Sequence, residues 1–148
     1  MNPARNTPDR LDTDWLLLLA AWLLVTTATL GSLFFSVVME LPPCSLCWYQ
    51  RMFMFPLVLV LFMGLFPSDT KVVRYALPLA AVGTVVALYH TLLQAGVIPE
   101  SAAPCSRGVS CADVDLLVFG FASIPLLSLL AFGTVTALLI TVWRRSSR

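Results

Sequence analysis

Charge is what this sequence has least of. Asp, Glu, Lys and Arg make up 11% of its 148 residues, against roughly 25% in an average soluble domain. The formal net charge is +1, too little to neutralise a run of phosphates, so nucleic acid is excluded as a partner. There is one histidine, so no histidine pair can hold a metal. No Gly-rich nucleotide fingerprint is present, and Trp48 rather than histidine follows Cys47, which rules out the haem-attachment motif. Internal repeats and low-complexity segments are also missing. What remains is apolar: 59% of residues are hydrophobic and the mean hydropathy is +0.88. A soluble fold of this size cannot hide so much apolar surface, whereas a bilayer can.

Four apolar runs account for most of the chain. They extend from Trp15 to about Val38, Trp48 to Phe66 with only Arg51 near its start, Tyr75 to Ile98 with His90 inside it, and Leu116 to Trp143. Each reaches the ~20 residues that a spanning helix needs. They are continuously apolar rather than alternating, and far longer than a ~10-residue barrel strand. The pattern predicts an all-α, integral membrane four-helix bundle forming one domain. The first run exceeds the ~7–15-residue core of a signal peptide and lacks a clear A-x-A site, so it is expected to remain as a span. Asp12 and Asp14 are candidate caps for the first helix. Pro56, Pro78 and Pro125 fall inside apolar runs, where neighbouring helices can absorb a freed carbonyl.

Basic residues mark the cytoplasmic face of a membrane protein. Arg5 and Arg10 precede the first run, Lys71 and Arg74 separate the second and third, and Arg144, Arg145 and Arg148 follow the fourth. Only Arg51 and Arg107 fall on the other face. Both termini are therefore predicted to be cytoplasmic, with outer loops at about Met39–Cys47 and Pro99–Asp115. All four cysteines lie in or beside those outer loops, on the side where disulfides persist. Topology and cysteine placement are separate observations, and they agree.

The first cysteine pair sits in "ELPPCSLCWYQR", residues 40–51. Pro42 and Pro43 end the preceding helix, and the second helix is expected to begin around Cys47. Helix-start amides and the positive dipole end favour a thiolate there. Arg51, four residues on, adds a cation on the same helix face. A redox-active dithiol needs this arrangement, because the thiolate is the reactive form. C-x-x-C alone also suits an inert disulfide, and two pairs in adjacent loops could bind one zinc through four sulfurs. Against zinc stand the oxidising side and the competing charge of Arg51. The second pair, Cys105 and Cys111 in "PCSRGVSC", closes a short loop with Arg107 inside it. Strained or exposed bridges of this kind are the labile ones.

Electrons removed from thiols need an acceptor. With haem, nucleotide and metal motifs missing, an acceptor dissolved in the membrane fits, and quinones are such carriers. Ionisable groups inside spans carry a functional reading by default. Arg51, His90 and Gln94, which lies four residues after His90, are the candidates to hydrogen-bond quinone oxygens. The plainer alternative for His90 is a core histidine bonded to a backbone carbonyl. For Gln94, Tyr49 and Trp48 a plain interfacial role leads.

"PPCSLCWYQRMFMFP" resembles the signature of the DsbB/BdbC family of quinone-linked thiol oxidases. "ALYHTLLQ", "PCSRGVSC" and "FGFASIPLLSLLAF" resemble the same family in the same order, over about Leu16 to Val142. The resemblance implies a four-helix bundle that reoxidises a DsbA-like thioredoxin-fold partner and passes electrons to a membrane quinone, ubiquinone or menaquinone. By the same resemblance, Cys105 forms the mixed disulfide with the partner and Cys111 exchanges with Cys44. Cys47 is then freed as a thiolate beside the quinone, Arg51 stabilises that state, and His90 lines the quinone site. The short Cys105–Cys111 spacing is similar to BdbC-type members. Gln50 stands where some relatives carry an acid, and little is expected of that change. Vitamin K epoxide reductases also use four cysteines, but with the C-x-x-C after the other pair, so the order here argues against them. The alternative from another class is a non-catalytic membrane subunit with structural disulfides or a four-cysteine zinc site.

Overall fold

A computed structural model describes residues 8–40, 43–66, 69–99, 117–118 and 122–147. Helix α1 is Pro8–Val37, α2 Ser45–Leu65, α3 Val73–Gln94 and α4 Ile124–Ser146. A single 3₁₀ turn, Thr70–Val72, leads into α3. Leu117–Val118 (β1) and Ala122–Ser123 (β2) pair antiparallel, Leu117 with Ser123 and Val118 with Ala122. The architecture is all-α apart from this short ribbon, and all four helices are long and apolar enough to cross a membrane.

Each helix packs on two others: α1 on α2 and α4, α3 on α2 and α4. The seam is lined by Leu18, Ala21, Val25, Leu57, Leu61, Ala76, Ala80, Ala87, Phe132, Val135 and Leu139, all buried. Small residues let helix backbones approach closely in a bilayer, where water supplies no hydrophobic drive between helices. Gly83 is the clearest case, since a Cβ there would run into the Phe132 ring. Thr84 and Thr136 add a 3.0 Å hydroxyl hydrogen bond between α3 and α4. Large apolar side chains such as Leu30, Leu59, Met63 and Val85 point outward, as lipid-facing residues do.

Besides the start of α2, three features at the helix ends differ from the sequence reading. Asp14 does not cap α1, which starts before it; the carboxylate is buried and accepts a 2.7 Å hydrogen bond from Arg145 Nε on α4. The third helix ends at Gln94 rather than near Ile98, because Gly96 adopts φ +73°. The Gly96 amide donates to Leu93 O (3.1 Å) and the Val97 amide to Leu92 O (3.1 Å), which is the Schellman pattern that left-handed glycine permits. The fourth helix begins at Ile124 rather than Leu116. Pro125 therefore lies in its first turn, where its missing N–H costs nothing, and not inside the helix.

Candidate redox site at the start of the second helix

Cys44 is the N-cap of α2, with extended backbone (φ −68°, ψ 165°), and its sulfur accepts from the Cys47 amide at 3.4 Å. The helix therefore begins at Ser45, ahead of the expected Cys47. The favourable end of the helix dipole falls on Cys44 instead. Cys44 is buried and Cys47 half-buried, both free thiols with sulfurs 2.7 Å apart. Cys44, Leu46 and Leu93 form a small buried cluster, with Cys47, Val86, Tyr89 and Ile98 packed against it.

His90 is fully buried on α3 and approaches this cap. Its Nε2 is 3.8 Å from Cys44 Sγ, and its Nδ1 is 3.3 Å from Gln50 Nε2. Both ring nitrogens are thus engaged, neither by a backbone carbonyl among the described residues. If the Gln50 amide donates to Nδ1, then Nε2 carries the proton and donates toward Cys44 sulfur. Cys44 lies just outside the span, and its thiol is held well below the ordinary thiol value. The hydrogen bond from Cys47 is the main cause; burial opposes it, and His90 assists. The pair therefore gives up its first proton at Cys44.

Arg51 is nearly buried and turns toward α1. Its Nε donates to Ser32 Oγ at 2.8 Å and its Nη2 to Ser32 O at 2.7 Å, while the guanidinium lies 5.6 Å from the Trp48 ring centroid. Among the described residues Nη1 takes no hydrogen bond, which leaves donors for a carbonyl oxygen one turn along α2 from Cys47. Gln94 is the last residue of α3, partly buried and one turn beyond His90. Trp48 and Tyr49 are exposed, as interfacial aromatics are. Cys105 and Cys111 lie outside the described residues.

Two residues of this site escaped the sequence reading. Ser32, one of five hydroxyl-bearing residues in the first apolar run, anchors Arg51. Gln50, of which little was expected, is buried against His90. Cys44, Cys47 and His90 also bring their donor atoms within 4.8 Å of one another, a ligand set for a thiophilic cation that differs from the four-sulfur site considered from sequence.

The family described as "Disulfide bond formation protein DsbB" matches residues 13–142. The chain belongs to the DsbB family. A probable disulfide formation protein of Metapseudomonas resinovorans is 46% identical over 134 residues, covering 90% of this chain and 93% of that protein. Probable disulfide formation protein C 2 of Bacillus cereus is 48% identical over 119 residues (80% and 85%). Disulfide bond formation protein C of Bacillus subtilis is 44% identical over 115 residues (78% and 83%). No solved structure matches. DsbB-family proteins are disulfide-generating oxidoreductases of the inner membrane that reoxidise DsbA-like oxidases by way of quinone, and this multi-pass chain is one of them.

The low Cys44 value sets a pH dependence. A lowered thiol keeps its thiolate as pH falls through the ordinary thiol range near ~8.5 and loses it only under acid conditions. In reduced protein with Cys105 and Cys111 replaced by serine, the thiolate ultraviolet absorbance should persist well below that range. His90→Phe should move its midpoint toward higher pH. An unmoved midpoint would show that the imidazole does not act on the sulfur.

Proposed function

We propose that Cys44, Cys47, Cys105 and Cys111 carry a two-step thiol–disulfide relay from an extracytoplasmic DsbA-like thioredoxin-fold protein to a ubiquinone or menaquinone. Cys105 takes the partner's thiolate into a mixed disulfide, releasing the Cys111 thiolate. The partner's second thiol then resolves it, leaving Cys105 reduced and the partner oxidised. Cys111 and Cys105 are reoxidised by exchange with the Cys44–Cys47 bridge: Cys111 attacks Cys44 and Cys47 leaves as thiolate, then Cys105 attacks the Cys111 sulfur of that Cys111–Cys44 disulfide, Cys44 leaves as thiolate and the outer bridge is closed again. Two electrons and two protons thus move from the partner's dithiol to the Cys44–Cys47 dithiol. A bound quinone supplies the two-electron acceptor at that point.

What carries the reading is the convergence at one helix start of a dithiol, a buried imidazole and a guanidinium with donors to spare. Cys44 is the better-stabilised thiolate, and His90 holds a proton next to it. Arg51, placed by Ser32, would hold a quinone oxygen with its remaining N–H groups. His90 and Gln94 border the same region. The four spans act as one domain with the cysteine loops on the extracytoplasmic face. In support, Lys71 in the 3₁₀ turn, Arg74 in the first turn of α3 and Arg144 and Arg145 in the last turn of α4 lie at the end of the bundle opposite the Cys44 cap.

The test is anaerobic mixing of purified protein with a reduced DsbA-like protein and a quinone, following quinone absorbance. Stoichiometric loss of the oxidised-quinone band with the partner's thiols consumed is expected. Stoichiometric bound zinc on protected thiols, with no quinone reduction, would instead make the Cys44–Cys47–His90 trio a metal site.

A further inference from the structure

We propose that the cavity between the start of α3 and the end of α4 binds the phosphodiester headgroup of an anionic phospholipid. It lies at the end of the bundle opposite Cys44, has a volume of about 280 Å³, and is lined by Lys71, Arg74, Tyr75, Trp143, Ser146 and Ser147 together with Thr70. Its residues occur where two spans end, Thr70–Gln94 at its first residues and Ile124–Ser146 at its last. That places the cavity at headgroup depth rather than among acyl chains.

The lining is selective in charge. Two cationic residues line it, and among the described residues no carboxylate does. Among the described residues the one ion pair is Arg145 with Asp14, so Lys71 and Arg74 keep their charge for something else. The nearest acid in sequence, Asp69, spends an oxygen on the Lys71 backbone amide at 3.0 Å. Hydroxyls stand beside the cations, with Thr70 Oγ1 and Ser146 Oγ 3.3 Å apart. A phosphodiester offers two charged oxygens to such donors. A phosphatidylethanolamine ammonium would meet two like charges and, among the described residues, no acidic partner. Tyr75 and Trp143 are both exposed. Rings of this kind flank headgroups with an apolar body in lipid and a polar edge toward water, which favours a lipid over a free ion as the source of the phosphate.

Native mass spectrometry of the purified full chain provides the test, with phosphatidylglycerol and phosphatidylcholine of matched acyl chains as probes. The protein should retain phosphatidylglycerol preferentially. Removing both cations (Lys71→Ala with Arg74→Ala) should weaken that retention by roughly twenty-five-fold, at about fivefold per basic group near an anionic headgroup. The charge-keeping exchange (Lys71→Arg with Arg74→Lys) should preserve it. Thermal melting in phosphatidylcholine should be the same for all three proteins, which separates lipid loss from misfolding. Equal retention by the alanine variant would overturn the proposal. So would displacement of the lipid by inorganic phosphate at concentrations comparable with the lipid's own, which would make the cavity a free-phosphate site.

Discussion

Cys47→Ser is expected to abolish quinone reduction, lowering turnover at least ~1,000-fold, as loss of a covalent nucleophile does. The sulfur lies 2.7 Å from Cys44 Sγ, and no other described thiol is near enough to close a bridge with Cys44. A serine hydroxyl neither forms that bridge nor ionises in this range. Exchange at the outer pair does not involve Cys47, so the adduct between Cys105 and a partner lacking its second thiol should still be trapped on non-reducing gels. The fold should tolerate the change. Cys47 packs at the edge of the Cys44–Leu46–Leu93 cluster and is only half-buried, so oxygen for sulfur should cost about 1 kcal/mol or less. Full turnover by the variant would mean that Cys47 is not the electron donor.

The four-helix architecture was legible because a bilayer imposes one rule. Every span must be a long apolar helix, and four such runs are plain in the sequence. Their ends were less legible. The Schellman stop at Gly96 depends on a left-handed residue that an apolar run does not disclose. The start of α4 was hidden because Leu116 to Ser123 is as apolar as the helix that follows; Pro125 was visible, but inside a long run it read as an internal proline. At the site, sequence spacing placed Arg51 one turn from Cys47 correctly as helix geometry. It could not show that the guanidinium turns to Ser32 on α1, because contacts between helices leave no periodic trace. For the same reason Gln50 looked neutral until α3 brought His90 against it. The cap moved from Cys47 to Cys44 because a C-x-x-C leaves the helix start free within one turn. That shift assigns the more acidic sulfur to the inner, fully buried cysteine.

Arg51→Met is expected to lower kcat/KM for quinone by about 10- to 100-fold, the range for losing one charge-assisted hydrogen bond of roughly 1.5–3 kcal/mol. The same change should alter folding far less. A guanidinium inside a span is costly, at about 2.5–3.5 kcal/mol near a helix centre, and only part of that is offset by the two bonds to Ser32. Methionine removes the buried charge, keeps an unbranched stem while giving up the guanidinium's approach to the Trp48 ring, and leaves the Ser32 hydroxyl free to bond its own helix. Stability and activity should therefore separate, as they would not for an arginine whose only task is to tie α2 to α1. Arg51→Lys sharpens the comparison. It restores the charge but cannot give both the Ser32 contacts and a third donor from one planar fork, so it should recover activity only in part. Ser32→Ala should reproduce a fraction of the Arg51→Met defect by loosening the guanidinium without removing it. Parallel losses of melting temperature and quinone reduction across Arg51→Met, Arg51→Lys and Ser32→Ala would make Arg51 a structural strut instead.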